Sequence, residues 1–397
     1  PLWFGTFFQQ LYNTADAVIV GNFVGKEALA AVGGPAATLI NLLVGFFVGL
    51  SSGATVIISQ FYGAKNNADV KKAVHTSIAL SLAGGAIIMI LGLIFSGAAL
   101  QLMNTPDDIM KLSLTYMRIY FLGVIPSLIY NMGSGILRAA GDAKRPLYFL
   151  IISCFINIIL DIFFVVVLKL GVAGVAIATT LSQVASAVMV LAALMRTTDS
   201  YKLYIREIRF APAILKHIIR IGLPAGLQST VFSLSNVVIQ SSINSFGSMV
   251  VAGNSASSNL EGFVYTAMNA FAQAAVTFTS QNIGARKYHN LDRVIRNCLL
   301  CVVVTGLVLG GGAALAGHQL LRFYSSDTAV IATGAERLRL ICGFYLLCGI
   351  MDVLASSLRG LGYSVLPMVV SLVGVCVLRL VWIATIFQLN RPPFMLY

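Results

Sequence analysis

Two carboxylates stand where carboxylates are costly. Asp161 lies inside FINIILDIFF, residues 155–164, whose other polar residue, Asn157, is four positions earlier and so on the same helical face. Asp16 closes a second polar stripe, Gln9, Asn13 and Asp16, at i, i+4 and i+7. Thr179, Gln183 and Ser186 repeat that spacing. An Asp at the centre of a helix in hydrocarbon costs roughly 2.5–3.5 kcal/mol on insertion scales. A group kept at that cost must be paired, neutralised or used. No basic residue lies at similar depth in the segments around these stripes. Lys169, about two turns beyond Asp161, reads as snorkelling toward the interface. A carboxylate out of water, poised between its charged and neutral forms, can carry a proton. With the oxygens of Asn157 and Thr179, the same pair would also suit a small hard cation such as Na⁺. The residue types leave proton and sodium open.

The second half of the chain is less acidic. Asn254, Ser258 and Glu261 form another i, i+4, i+7 stripe. Asp352 lies in a later apolar segment, with Arg359 at its end. Arg118 and Arg379 are also inside apolar segments, so a salt bridge of Glu261 or Asp352 with Arg379 is the structural alternative to a second site. Asn13, Gln183, Glu261 and Asp352 are therefore candidates for substrate contact or a second-lobe site. Tyr12, Tyr120, Tyr130, Tyr265 and Phe271 could line a pocket for flat amphipathic molecules.

The elements that must carry these side chains are membrane helices. The chain is 58% hydrophobic and only 10% charged, with mean hydropathy +0.89. A soluble domain usually carries about 25% charge, and a larger soluble core would still need a charged surface. Apolar stretches of bilayer-crossing length recur, at about 1–23, 35–61, 73–102, 111–136, 146–168, 172–195, 213–245, 250–280, 294–321, 335–357 and 365–389. Short alternating strands of a porin-like barrel do not appear. Most of the 26 Lys and Arg follow the second, fourth, sixth, eighth and tenth stretches. The positive-inside rule then puts those exits and the N-terminus in the cytoplasm. The net charge of +12 is thus a topology signal, not a nucleic-acid footprint.

The chain also repeats itself. Ser59-Gln60-Phe61-Tyr62-Gly63-Ala64-Lys65 and Ser280-Gln281-Asn282-Ile283-Gly284-Ala285-Arg286 both read S-Q-x-x-G-A-[KR], 221 residues apart. Leu137-Arg138, Gly141 and Pro146 match Leu358-Arg359, Gly362 and Pro367, again 221 apart. A ladder of small residues, Gly45, Gly49 and Gly53, maps onto Thr266, Ala270 and Ala274. Six spans return the chain to its starting side, so the two halves form a parallel repeat. The expected architecture is all-α integral membrane: an N-terminal lobe at 1–196, a basic cytoplasmic linker at 197–212 and a C-terminal lobe at 213–397. Eleven spans are present. The twelfth would begin near 393, and the chain opens on Pro1, so the reading is of a twelve-span parent truncated at both ends. Two-lobed proteins of this kind are typically alternating-access transporters.

Enzyme chemistry is not indicated. Gly310-Gly311-Gly312 is mid-span and follows no strand, so it is no phosphate loop. The four histidines are scattered without metal spacing. Cys298 and Cys301 make a C-x-x-C on a helix with no second pair, better read as small buried side chains than as a redox or metal site.

Taken together, Asp16–Gly21 (DAVIVG), the paired S-Q-x-x-G-A and L-R-x-x-G motifs, Asn157–Asp161 (NIILD) and Gly174–Thr179 (GVAIAT) resemble the multidrug and toxic compound extrusion (MATE) family. The likeness covers essentially the whole chain. It implies two six-helix lobes exporting organic cations and amphipathic drugs in exchange for protons or sodium. It also implies a multi-pass monomer in the cell (inner) membrane, with no cofactor beyond the coupling ion. The DinF-like branch associates that ion with first-lobe residues matching Asp16, Asn157, Asp161 and Thr179. The NorM-like branch uses second-lobe acids, one in the seventh span. Here that span, Gln228 to Phe246, has none, so the resemblance is more DinF-like. A lipid-linked oligosaccharide flippase of the same superfamily is the alternative, disfavoured because only Arg118 and Arg379 are assigned to span interiors, the other basic residues being counted with the flanking loops. A non-transporting membrane scaffold is the third reading.

Overall fold

The computed structural model describes residues 4, 5, 7, 8, 16, 19, 20, 23–25, 28, 31, 32, 35–103, 105, 107–244, 248–322 and 328–385. Within them the chain is helical. In lipid every backbone donor and acceptor must be satisfied inside its own segment, which leaves the helix as the economical choice for apolar runs of this length. The helices are α1 (Pro35–Gly63), α2 (Asn67–Leu102), α3 (Asp107–Leu122), α4 (Val124–Ala139), α5 (Lys144–Asp161) and α6 (Gly171–Arg196). They continue as α7 (Pro212–Asn244), α8 (Ser248–Gly284), α9 (Leu291–Thr305), α10 (Gly311–Leu321), α11 (Thr328–Gly360), α12 (Val365–Ser371) and α13 (Leu378–Ala384). Wider π-helical turns extend α5 (Ile162–Val167), join α9 to α10 (Gly306–Gly310) and join α12 to α13 (Leu372–Val377).

Among the described residues, seven helices are long and apolar enough to cross a membrane. The pair α3 and α4, expected as one span at 111–136, is bent by 51° at Gly123 and passes the same test only when taken together. The expected seventh and eighth spans, α7 and α8, have 33 and 37 residues but are less apolar. They carry polar side chains that the fold buries, including Gln228, Ser235, Asn254, Ser257, Thr279 and Ser280.

The chain divides into two compact units, Pro1–Ser229 and Thr230–Tyr397. In the first, α4 packs on α1, α2 and α6, while α6 also packs on α3 and α5. Its core gathers Ile19, Val20, Ile40, Ile88, Tyr116, Met117, Phe121, Val124 and Val175. Lipid tails are as apolar as these side chains, so association rests on close packing more than on escape from water. The ladder on α1 shows how close. A Cβ on Gly49 would lie 2.4 Å from the backbone nitrogen of Gly226, and one on Gly53 2.4 Å from the carbonyl oxygen of Ile218. The first part of α7 is therefore seated on α1. In the second unit α8 and α11 form the main pair, with α9 and α10 packed on α11. Val264, Met268, Val302, Leu338, Cys342 and Val353 lie at its centre.

The duplication read from the motifs is written in the backbone. Lys65 and Arg286 both adopt positive φ, 55° and 57°. Gly141 and Gly362 do the same at 92° and 98°. Each pair is 221 residues apart. Their hydrogen bonds correspond: Ala64 N–H to Gln60 and Ala285 N–H to Gln281, both at 2.9 Å, and Gly141 N–H to Arg138 and Gly362 N–H to Arg359, again both at 2.9 Å. In each half these are helix C-terminal caps closed by a left-handed residue. The two motifs thus repeat because they stop matching helices.

Candidate functional site

Asp161 is the last residue of α5, fully buried, where the helix widens into its π-helical turn. Such turns are frequent at functional positions because they re-aim side chains within an otherwise regular helix. Asn157, also fully buried, is one turn earlier on the same face. Thr179 faces them from α6. One hydroxyl ties that pair of helices: Ser153 Oγ on α5 donates to the carbonyl of Ser182 on α6 at 2.8 Å, while Ser182 Oγ donates back within α6 to the carbonyl of Thr179, also at 2.8 Å. Thr180 Oγ1, donating to the carbonyl of Ile119 at 3.3 Å, ties α6 to α3.

Asp16 completes the group. Its carboxyl lies against Asp161, Thr179 and Asn157. The residues are neighbours without being bonded into a closed network. Asp16 Oδ1, both Asp161 oxygens, Asn157 Oδ1 and Nδ2, and Thr179 Oγ1 are buried with no hydrogen-bond partner. Among the described residues neither carboxylate enters an ion pair. A buried polar network left this open is costly in a protein interior. Its donors are almost all oxygens, the set preferred by a hard cation or a shared proton.

The four residues of the first-lobe stripe argument therefore meet in one place. Gln183 lies one turn beyond Thr179, half-buried, its backbone carbonyl accepting Ser186 Oγ at 2.9 Å. Asn13 lies outside the described residues. Sequence reasoning passed over Tyr116, a buried side chain of α3 close enough to Asp16 and Asp161 for their charges to bear on its hydroxyl. Cys154, one turn before Asn157, is likewise beside Asp16. The Tyr116 and Tyr120 rings adjoin at 6.2 Å.

The second-lobe acids are arranged differently. Glu261 Oε2 is 2.6 Å from Arg337 Nη2, and its other oxygen accepts the Tyr345 hydroxyl. Arg337 Nη1 donates to Ser257 Oγ at 2.8 Å. The expected partner, Arg379, instead donates to Asn236 at 3.2 Å. Arg337 is the better partner because α11, which carries it, packs along α8, which carries Glu261. Asp352 has Arg359, two turns later on α11, as its charged neighbour. The pairing leaves Glu261 neutralised, whereas Asp16 and Asp161 are not.

Two backbone-matched helical halves, one of them gathering two buried carboxylates without an ion-pair partner among the described residues, fit a membrane transporter. The MatE family model matches residues 1–163 and 224–385, and the chain belongs to that family of multidrug efflux transporters. It is 28% identical to the probable multidrug resistance protein YoeA of Bacillus subtilis (strain 168) over 382 residues, 94% of this chain and 82% of that protein. It is also 28% identical to the probable multidrug resistance protein YpnP of the same organism over 385 residues, 96% and 84% of the two chains. Among solved structures it resembles the outward-facing conformation of a multidrug resistance MATE family transporter of the MOP superfamily. That likeness has a TM-score of 0.91 at 25% identity and covers 100% of this chain and 88% of the other.

Proposed function

We propose that the chain exports small amphipathic, often cationic molecules across the cell membrane in exchange for H⁺ or Na⁺, by alternating access, as a monomer with a cytoplasmic N-terminus. The observation carrying this reading is the Asp16–Asp161 pair, buried against Asn157 and Thr179 with open acceptor oxygens and, among the described residues, no ion-pair partner. Two adjacent carboxylates in low dielectric cannot both stay ionised at small cost. At about 4 Å and an effective dielectric near 20, their repulsion is about 4 kcal/mol. Taking up one cation removes that cost, and losing it restores the cost. The energy of the site thus depends on occupancy, which is what a coupling device needs: differential affinity between two states, not binding alone. Tyr116 lies beside the pair, its ring tilted at 33° to that of Tyr120, so an aromatic wall borders the carboxylates. The names of YoeA and YpnP, as multidrug resistance proteins, support the substrate class.

The test is ethidium counterflow in proteoliposomes under an imposed pH gradient or an imposed Na⁺ gradient. One gradient drives uptake in the wild type, and Asp161→Asn and Asp16→Asn abolish the response to it. Normal gradient-driven transport by both variants would refute the assignment.

A further inference from the structure

The segment before α7 is held to the first unit by a histidine that can work in only one protonation state. His75 is buried in α2, 3% exposed. Its Nδ1 lies 2.6 Å from the carbonyl oxygen of Lys71. A carbonyl only accepts, so Nδ1 carries the proton. Its Nε2 lies 3.0 Å from the backbone nitrogen of Tyr204. That nitrogen donates, so Nε2 must present a lone pair. Both contacts are satisfied by the neutral Nδ1–H tautomer and by no other form. The Tyr204 ring lies nearly parallel to the imidazole, at 7°, so the segment is registered on His75 by ring and backbone together.

Adding a proton to Nε2 would set two N–H groups facing each other across 3.0 Å. The Tyr204 amide would lose its acceptor, and the segment would have to move to find another. Next to it, Thr76 Oγ1 accepts the backbone N–H of Ala211 at 3.1 Å, just before α7 begins at Pro212. Consecutive residues of α2, His75 and Thr76, thus hold both the Tyr204 amide and the chain just ahead of α7.

We propose that His75 is a pH-responsive positioning residue, whose neutral form fastens residues 197–211 to α2 and whose protonation releases them. The charged and titratable groups around it are Lys71 and Lys72 on α2 and Lys202, Tyr204, Glu207 and Arg209 on the segment. Lys71 bridges to Glu207 at 2.7 Å and stands 4.6 Å over the Tyr204 ring, while Lys202 lies 5.5 Å from the same ring. Lys72 is taken up by Asp69 at 3.1 Å. Glu207 is not the sensor: its hydrogen bond from Lys71 holds its carboxyl below the usual range, so it stays ionised at mildly acidic pH. Histidine is the side chain whose two ring nitrogens exchange a proton in that range, and here both are committed to backbone partners. The inference does not depend on which ion is coupled at Asp16 and Asp161.

Hydrogen exchange of the purified full chain tests it, read on peptides containing Tyr204 and corrected for the intrinsic pH dependence of exchange. In the wild type, protection falls by about five- to tenfold between about pH 8 and about pH 5.5, the effect of losing one hydrogen bond. His75→Gln puts an oxygen acceptor near the Nε2 position but cannot titrate, so it keeps protection at both pH values. His75→Phe lacks the acceptor and shows low protection at both. A wild type insensitive to pH, or a His75→Gln variant that loses protection on acidification as the wild type does, would overturn the proposal. If His75→Phe does not fold, the other two proteins still decide.

Discussion

Replacing Asp161 with asparagine should make the protein more stable and stop it working. The structure supplies the reason. Both Asp161 oxygens are buried without a hydrogen-bond partner, and the Asp16 carboxyl is next to them. An asparagine keeps the shape, removes the charge and brings donor hydrogens to a neighbourhood rich in acceptors. The relief has two parts: the repulsion between ionised neighbours, about 4 kcal/mol at an effective dielectric near 20, and the burial of one carboxylate, about 2.5–3.5 kcal/mol on insertion scales. The two overlap, because a bound proton or cation already offsets part of each. A net gain of about 1–2 kcal/mol is the reasonable expectation, or roughly 2–8 °C in melting temperature for units of this size. The sign with pH follows. Asparagine gains most where the wild-type carboxyl would be charged, and the advantage shrinks on acidification as the wild type takes up its own proton. The assay is thermal unfolding of purified Asp161→Asn, with and without Na⁺, beside ethidium counterflow of the same preparation. The result that refutes the reasoning is a destabilised variant. It would mean that Asp161 is a structural member of a satisfied network, and that any transport defect reports misfolding. Higher stability with lost coupling is the pattern of a functional site maintained at a cost in stability.

Three further outcomes follow from the packing. Gly49→Ala should lower the melting temperature through about 1–3 kcal/mol of overpacking, because the new Cβ meets the Gly226 backbone at 2.4 Å and no side chain there can yield. Gly311→Ala, where nothing lies within 4 Å, should raise it by up to about 1 kcal/mol through helix propensity. Thermal unfolding of the two variants side by side checks both. Arg337→Met should cost about 3–5 kcal/mol by stranding the Glu261 carboxylate, and adding Glu261→Gln should recover much of it in a double-mutant cycle. Glu207→Gln should leave the melting temperature close to that of the wild type at both neutral and mildly acidic pH. Its pair with Lys71 is solvent-exposed, and its carboxyl, held below its usual range, does not titrate there.

What could be read from the chain beforehand was whatever leaves a one-dimensional trace. A carboxylate in an apolar run is visible without knowing its neighbours, so Asp16 and Asp161 could be named, and helical spacing added Asn157 and Thr179. The duplication was visible because its motifs are helix stops, which tolerate few residue types at the left-handed position. Contacts between distant residues left no such trace. Arg337 lies at the start of the expected span 335–357 and sorts by position with the loop cations, yet the helix begins earlier, at Thr328, and the fold places Arg337 against Glu261. Tyr116 looked like one aromatic among many. The seating of α7 on α1 could not be read either, because Gly222 and Gly226 announce only that something comes near.

Those misses bear on why a duplicated protein would keep open carboxylates in one half only. The shift of 221 residues maps Glu261 onto Ile40 and Arg337 onto Tyr116. In the first unit Ile40 and Tyr116 belong to the apolar core, and Tyr116 borders two acids that have no ion-pair partner among the described residues. At the matching positions of the second unit an acid and a base neutralise each other. The same scaffold position thus supports an open carboxylate site in one copy and a closed ion pair in the other. A closed pair gains little from an incoming cation, because the cation must first displace a guanidinium held by a 2.6 Å contact. An open pair has no such competitor. If the two halves diverged in this way, placing a base at position 116 should disable the first site as Arg337 closes the second. Tyr116→Arg should then abolish gradient-driven transport even with Asp16 and Asp161 intact, while Tyr116→Phe, which keeps the ring and adds no charge, should leave it largely in place. Counterflow measurements on the two variants decide the matter, and coupled transport by a folded Tyr116→Arg protein would show that the first-unit acids do not need to be free of a cationic neighbour.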